Sequence, residues 1–125
     1  MGHLRLIRGL PGSGKTTLAM GMVGFTLFEA DQFFMVDGEY RYDPAKIRDA
    51  HKWCQRMTRE ALARGENVVV ANTFTRRFEI EPYIAIAGEF GITPEIITAE
   101  GRWQNTHGVP DAVIHKMEQR WEHVA

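Results

Sequence analysis

The sequence predicts an α/β fold of three layers, in which helices cover both faces of a small, mostly parallel sheet of about four strands. Four short β-compatible runs alternate with four helical segments, and a glycine-rich turn joins the first run to the first helix. Parallel strands need right-handed crossovers, so the helices are expected to pack on the sheet. The length suits a single domain, residues 1–125, because no repeat or linker divides the chain.

The first half of the chain supplies two strands and two helices. Residues 4–8 are an apolar, β-compatible run, and residues 15–24 read as a helix that fades at two glycines. Residues 26–30 are the second strand candidate, and Asp37-Gly38 is a turn signal. Residues 43–64 form the clearest helix, with an aspartate cap, a proline in the first helical position and apolar residues at alternating spacings of three and four.

The second half repeats this alternation. Residues 67–71 have the continuous apolar character of a central parallel strand. After a polar loop, Pro82 is expected to open the main body of a third helix, which ends at a glycine. Residues 93–98 are the fourth strand, and Pro110 starts a last helix with an apolar inner face.

Polar and glycine residues follow the predicted strands where each strand ends. Gly9, Asp31 and Asn72 stand at three of these ends, and a loop follows Thr98 at the fourth. The carboxyl ends of parallel strands meet at one edge of a sheet, and ligands of open α/β folds bind there. The sequence therefore predicts a ligand site that combines these segments.

The glycine-rich turn matches an eight-residue phosphate-binding loop between a strand and a helix. Its glycines let backbone N–H groups face phosphates, and the start of the helix adds a partial positive charge. The lysine would reach the β and γ phosphates, and the threonine after it would ligate Mg²⁺. This motif predicts a P-loop NTPase fold that binds ATP with Mg²⁺; the alternative is a chance match in a turn. The predicted nucleotide contacts are Gly9, Leu10, Pro11, Gly12, Ser13, Gly14, Lys15, Thr16 and Thr17.

Asp31 is the candidate general base. In a compact P-loop fold, a carboxylate at the end of the second strand can face the γ-phosphate and accept a proton from an attacking hydroxyl. Asp31 could equally cap the turn after its strand. Ala71-Asn72 offers no carboxylate where many P-loop proteins hold Mg²⁺, so Thr16 and Asp31 are the predicted metal contacts.

Three arginines are candidates for stabilising the charge on a transferred phosphoryl group. Arg76, Arg77 and Arg102 lie in predicted loops at the edge where the strands end. Taken singly, each could instead be a solvated surface arginine.

Composition limits the classes of function. No segment approaches the length of a membrane span, and the single cysteine, Cys54, cannot form an internal disulfide, so a cytoplasmic protein is expected. The formal net charge is -1 at pH 7. Long nucleic-acid ligands usually need a basic face, so extended nucleic-acid binding is not favoured, although a short contact remains open.

With these positions assembled, the chain resembles the polynucleotide-kinase-like P-loop kinases, which are known from bacteriophages and as a kinase domain, an AAA-type ATP-binding domain, within larger eukaryotic proteins. The resemblance covers essentially the whole chain. Besides the phosphate loop, it is carried by the segments 29–31 with Phe34, 38–44, Ala50-His51 with Trp53, Asn72-Thr73, 79–83 and 107–110.

The resemblance implies transfer of the γ-phosphate of ATP to a hydroxyl, in the founding members the 5′-hydroxyl of RNA or DNA. It implies that Asp31 is the general base, that Lys15 and Thr16 contact the phosphates and the metal, and that Arg102 is a lid arginine. Arg76 and Arg77 are alternatives for the lid.

Two positions depart from the family pattern. Phe34 stands where the phage kinase has an arginine for the substrate phosphate, and Ala71 replaces an aspartate commonly found before Asn-Thr. An ATP-binding or ATPase accessory module and a small-molecule or nucleotide kinase are therefore carried as alternative functions.

Overall fold

The computed structural model describes residues 2–100 and 109–123. Six strands and four α-helices lie in this part of the chain. The strands are β1 (Leu4–Arg8), β2 (Phe25–Phe28), β3 (Met35–Val36), β4 (Glu39–Tyr40), β5 (Asn67–Asn72) and β6 (Glu95–Thr98). The helices are α1 (Lys15–Met20), α2 (Ile47–Ala63), α3 (Arg77–Glu89) and α4 (Asp111–Gln119), and two short 3-10 helices span Ala30–Phe34 and Pro44–Lys46.

Four strands form one parallel sheet in the order β2-β5-β1-β6. In this sheet Leu4 lies beside Val68, Arg5 beside Glu95 and Phe25 beside Asn67. The order brings the carboxyl ends of β1, β2 and β5 together, because each strand runs in the same direction from the same edge. The predicted three-layer α/β/α fold with four parallel strands is confirmed.

The core consists of apolar side chains on both faces of this sheet. On one face, Leu6 and Val70 pack with Cys54 of α2 and Ile80 of α3. On the other face, alternate strand residues pack with Ala19 of α1. The strand residues of this second cluster are Ile7, Phe25, Leu27, Val69, Ala71 and Ile97. Burying each such aliphatic side chain contributes roughly 1.5–3 kcal/mol, so the sheet is a rigid support for the loops at its edge.

A small hairpin follows β2. The predicted strand 26–30 ends at Phe28, and a 3-10 helix that contains Asp31 leads into the antiparallel pair β3 and β4. Asp37 and Gly38 form the turn with φ angles of 51° and 81°, as expected for the tight turns that match strand twist. The turn was predicted from the sequence, whereas its two-residue strands were not.

The third helix begins earlier than predicted. α3 starts at Arg77, so Pro82 lies inside the helix rather than at its opening. The Glu79 carboxylate accepts a hydrogen bond from the backbone N–H of Arg76 at 3.2 Å, which stabilises the first turn ahead of the proline. Within the described residues, no helix is long and apolar enough to cross a membrane.

Candidate active site

The predicted phosphate loop connects β1 to α1. Gly12 and Gly14 adopt left-handed φ angles of 83° and 88°, which non-glycine residues rarely do, and the backbone N–H of Ser13 donates to the carbonyl of Leu10 at 3.0 Å. The loop therefore curls into a concave turn at the amino end of α1. Such a turn presents backbone N–H groups to an anion.

Gly9 allows this loop to pack closely against the sheet. A Cβ atom at Gly9 would lie 2.3 Å from the Ser13 hydroxyl oxygen and 3.0 Å from the carbonyl oxygen of Ala99. The buried Ser13 hydroxyl has no hydrogen-bond partner in the described residues. A tight cradle with an unsatisfied hydroxyl fits a loop that closes on phosphate oxygens.

Lys15 carries the positive charge of the loop. Its Nζ donates to the carbonyl of Leu10 at 3.2 Å. Burial lowers the pKa of Lys15, and the negative charges of Glu29 and Asp31 oppose that shift. An incoming phosphate would favour the charged form of Lys15 in the same way, because it brings negative charge to a partly buried ammonium group.

Thr16 is hydrogen-bonded to a carboxylate. Its hydroxyl donates to Glu29 Oε2 at 3.0 Å. Glu29 is extended, with φ -135° and ψ 142°, and it precedes Asp31 by two residues. Glu29 was not among the predicted site residues, and its place two positions before Asp31 is the signal in the sequence that could have pointed to it.

Asp31 lies at the start of the 3-10 helix after β2, opposite the phosphate loop. Tyr40 donates its hydroxyl hydrogen to Asp31 Oδ1 at 3.2 Å. The Asn72 side chain positions this segment, because its Oδ1 accepts a hydrogen bond from the backbone N–H of Ala30 at 2.9 Å. The ends of β2 and β5 are thereby tied together beside the loop.

A cavity of about 580 Å³ joins these groups. Its charged lining comprises Lys15, Glu29, Asp31, Glu79 and Arg120. The lining also includes aromatic and apolar side chains and one histidine: Phe34, Tyr40, Tyr42, Ile47, Ala50 and His51.

A second cavity of about 480 Å³ lies on the other side of the phosphate loop. It is lined by Leu10 to Ser13, by residues 98–100 at the end of β6, and by Ile114 and Trp121 from the C-terminal segment. Pro11 lines both cavities. The loop thus separates two compartments, an arrangement that suits a donor and an acceptor meeting at a phosphate.

Arg8 fixes the segment between β5 and α3. The side chain is only 2% exposed; its Nε and Nη2 donate to the carbonyl of Phe74 at 3.0 and 2.7 Å, and its guanidinium lies 4.0 Å from the ring centre of Trp121. Burial lowers the pKa of Arg8, while Glu79 and Glu122 raise it. Phe74 has a φ of 45°, uncommon for a bulky residue, and the Arg8 hydrogen bonds hold it there.

Comparison with known proteins decides the family. A family model described as AAA domain (AAA_33) matches residues 4–122, which is nearly the entire chain. The chain belongs to this family. The phosphate loop and parallel sheet of this AAA domain are those of a P-loop kinase-like fold.

Relatives of the AAA domain occur in bacteria and in humans. The uncharacterized protein PM0531 of Pasteurella multocida is 32% identical over 134 residues, covering 94% of this chain and 75% of that protein. NEDD4-binding protein 2 of Homo sapiens is 27% identical over 133 residues, covering 95% of this chain. The chain spans only 8% of the human protein's length.

Solved kinase structures share the fold. A gluconokinase from Sinorhizobium meliloti 1021 superposes with a TM-score of 0.65 and 19% identity, covering 98% of this chain and 75% of that one. A chain of the Pnkp1/Rnl/Hen1 RNA repair complex superposes with a TM-score of 0.60 and 19% identity, covering 98% of this chain and 40% of that one. At these identities the likeness establishes the fold.

The candidate arginines of the AAA domain differ in whether they line a cavity. Arg76 and Arg77 are exposed at the start of α3 and line neither cavity. Arg102 lies outside the described residues. Arg120, directly after α4, lines the larger cavity, and its Nε donates to the Thr75 hydroxyl at 3.2 Å. Roles for Arg76, Arg77 and Arg102 stay predictions, and no pattern in the sequence singled out Arg120.

Proposed function

We propose that this AAA domain is an ATP-dependent kinase that moves the γ-phosphate of ATP to a hydroxyl acceptor. One observation carries the proposal: the carboxylate of Asp31 and the ammonium of Lys15 line the same cavity beside the phosphate loop. A lysine on the phosphates and a carboxylate within the acceptor compartment are the parts that phosphoryl transfer needs.

In the proposed reaction, the loop and Lys15 hold the β and γ phosphates of ATP. The acceptor hydroxyl oxygen forms a bond to the γ phosphorus while the bond from that phosphorus to the bridging oxygen breaks, and ADP leaves. Asp31 takes the proton of the hydroxyl. Arg120, with Arg102, Arg76 and Arg77 as further candidates, would stabilise charge on the transferred group.

The proposed Mg²⁺ contacts are Thr16 and Glu29, with Asp31 close by. Mg²⁺ prefers oxygen ligands, and the hydrogen bond from Thr16 to Glu29 places a hydroxyl and a carboxylate together beside the loop. When bound, Mg²⁺ would supply positive charge that offsets the negative charge of the phosphates. Glu29 would supply the carboxylate that the end of β5 lacks, because Ala71 stands there.

We propose the 5′-hydroxyl of a nucleic acid or nucleoside as the acceptor. The structural likeness to a component of an RNA repair complex supports this class, and the likeness to a gluconokinase supports a small polyol as the competing class. Among the described residues, the lysine and arginine side chains that line the cavity beside Asp31 are Lys15 and Arg120, fewer than a groove for a long polyanion needs, which favours short acceptors.

Asp31→Asn tests the proposal. The change keeps size and hydrogen bonding but removes the base, so we expect transfer to fall about 10²- to 10⁴-fold with ATP affinity nearly unchanged. Transfer is measured with radiolabelled γ-phosphate ATP and a panel of 5′-hydroxyl oligonucleotides, nucleosides and polyols. ATP affinity is measured by calorimetry.

Asp37→Asn is the matched control. Asp37 lies in the exposed hairpin turn with φ 51°, which asparagine tolerates, and it does not line the cavity. Full transfer by Asp31→Asn would show that the base is assigned wrongly. Phosphate release that does not depend on any acceptor would instead favour the ATPase accessory module.

A further inference from the structure

We infer that Tyr40 and Tyr42 form a stacking subsite for the base of the acceptor's terminal nucleoside, with its 5′-hydroxyl directed to Asp31. The inference rests on the proposed kinase function and specifies its acceptor: a unit recognised by its flat base rather than by a phosphate.

The two tyrosine rings are arranged as a pair at the cavity. They lie nearly parallel, with an interplanar angle of 15° and centroids 6.4 Å apart. Tyr40 is 47% exposed and Tyr42 is 53% exposed, so both retain free ring surface. Large, exposed and parallel aromatic rings are the surfaces on which nucleobases stack.

Phe34 holds the pair in place. It is only 4% exposed, and its ring contacts Tyr42 edge to face at 5.2 Å and Tyr40 at 6.2 Å between centroids. The backbone N–H of Arg41, between the two tyrosines, donates to the carbonyl of Phe34 at 2.7 Å. The subsite is therefore preformed, which reduces the entropy that a ligand must overcome.

The subsite adjoins the proposed base. The Tyr40 hydroxyl donates to Asp31 Oδ1 at 3.2 Å, and Tyr40, Tyr42 and Asp31 line the same cavity. In the inferred complex, a base that stacks on a tyrosine face directs its 5′-hydroxyl toward the neighbouring Asp31 carboxylate.

The residues next to the tyrosine pair offer little positive charge to a phosphate. Phe34, Ile47 and Ala50 are uncharged, and the cationic lining residues Lys15 and Arg120 come from the phosphate loop and from the position after α4. Arg41 on the hairpin pairs with Glu39 at 3.0 Å. A base recognised through its ring faces needs no cation beside the pair.

Two apolar side chains accompany the aromatic residues in the cavity lining. Ile47 and Ala50 present surface that a flat base can cover without leaving a polar group unpaired. A flat base satisfies this environment through its faces while its edges remain in solvent.

The test compares a 5′-hydroxyl oligonucleotide with the same oligonucleotide lacking its terminal base. We expect kcat/KM for the abasic acceptor to be about 10- to 100-fold lower, in line with the loss of one base–aromatic stack. A nucleoside without any phosphate should be phosphorylated with kcat/KM within a few-fold of the intact oligonucleotide. Equal rates on intact and abasic acceptors would overturn the inference.

Variants of Tyr42 test whether its aromatic ring causes the preference for an acceptor with a terminal base. Tyr42→Trp and Tyr42→Phe should keep the preference for the base, whereas Tyr42→Leu, which packs on Phe34 but has no aromatic face, should remove it. Met35→Ala is the control because Met35 is 51% exposed on the same hairpin and does not line the cavity. A base preference that survives Tyr42→Leu would overturn the inference.

Binding measurements separate this inference from the kinase proposal. The Asp31→Asn variant is titrated with fluorescent intact and abasic oligonucleotides, which requires no transfer. Tighter binding of the intact oligonucleotide supports the subsite even if no acceptor is phosphorylated. Transfer to a polyol with no base-dependent binding would refute the subsite and leave the kinase proposal standing.

Discussion

At the scale of single residues, the hydrogen bond between Thr16 and Glu29 bears most directly on how the proposed site would hold Mg²⁺. It joins the phosphate loop to the segment after β2 and puts a carboxylate next to the hydroxyl that P-loop proteins use on Mg²⁺. A carboxylate at this point can serve the metal even though β5 ends in Ala71-Asn72.

Glu29→Gln is expected to weaken the use of Mg²⁺ selectively. Glutamine can still accept the hydrogen bond of Thr16, but the negative charge is lost, so the Mg²⁺ dependence of ATP binding should fall about 10- to 100-fold. Calorimetric titration of ATP with and without Mg²⁺ measures this difference. Glu60→Gln, an exposed change on α2, is the control, and an unaltered Mg²⁺ dependence in Glu29→Gln would contradict the assignment.

The residues of the site were only partly predictable. Lys15 and Thr16 follow from the loop pattern, and Asp31 follows from its place at a strand end. Glu29 was not predicted because its hydrogen bond with Thr16 depends on the extended conformation of the backbone just after β2. Arg120 depends on where α4 packs, and no local pattern encodes that position.

At the scale of elements, the regular strands and the long helix could be predicted because their apolar patterns extend over many residues. β1, β5 and α2 bury continuous or periodic apolar sets. The hairpin of β3 and β4 has two residues in each strand and depends on Phe34, so its formation is a tertiary effect. The early start of α3 depends on capping contacts: Glu79 accepts the backbone N–H of Arg76, and Glu122 accepts that of Arg77 at 2.8 Å.

Gly9→Ala is expected to weaken ATP binding. The change places a methyl group 2.3 Å from the Ser13 hydroxyl oxygen, so the loop must distort and ATP affinity should fall at least tenfold. Calorimetry measures the affinity, and normal ATP binding by Gly9→Ala would argue against the packed loop.

Gly88→Ala is expected to stabilise α3. The added methyl group meets no atom within 4 Å, so the free energy of unfolding should rise by about 0.5–1 kcal/mol without a change in ATP affinity. Urea denaturation measures the free energy of unfolding, and calorimetry measures the ATP affinity.

At the scale of the whole molecule, Arg8 connects three separate parts of the chain. It stands at the end of β1, donates to the carbonyls of Phe74 and Thr75 beyond β5, and lies against Trp121 near the C-terminal end of the described chain. The Thr75 carbonyl also accepts the backbone N–H of Glu122 at 2.7 Å. These contacts connect β1 and the segment after β5 to the residues that follow α4.

Arg8→Met should destabilise the whole domain. Methionine fills similar space but removes both donors of the buried Phe74 carbonyl, so we expect the free energy of unfolding to fall by about 2–5 kcal/mol in urea denaturation. Arg5→Met on the same strand is the matched control: Arg5 pairs with Glu95 at the surface, and a loss below about 1 kcal/mol is expected. Equal losses in the two variants would contradict the special role of Arg8.

The order of the sheet has a consequence for how the protein is made. β1 pairs with β5 and β6, and Arg5 is separated from its partner Glu95 by 90 positions. On the ribosome, β1 therefore emerges long before either neighbour and waits as an unpaired apolar strand, which makes assembly slow and dependent on distant contacts. Because the phosphate loop extends from β1 and packs against the Ala99 carbonyl after β6, we expect it to reach its folded geometry only when synthesis has passed β6. Any nucleotide that the loop binds would then stabilise the folded domain over shorter intermediates.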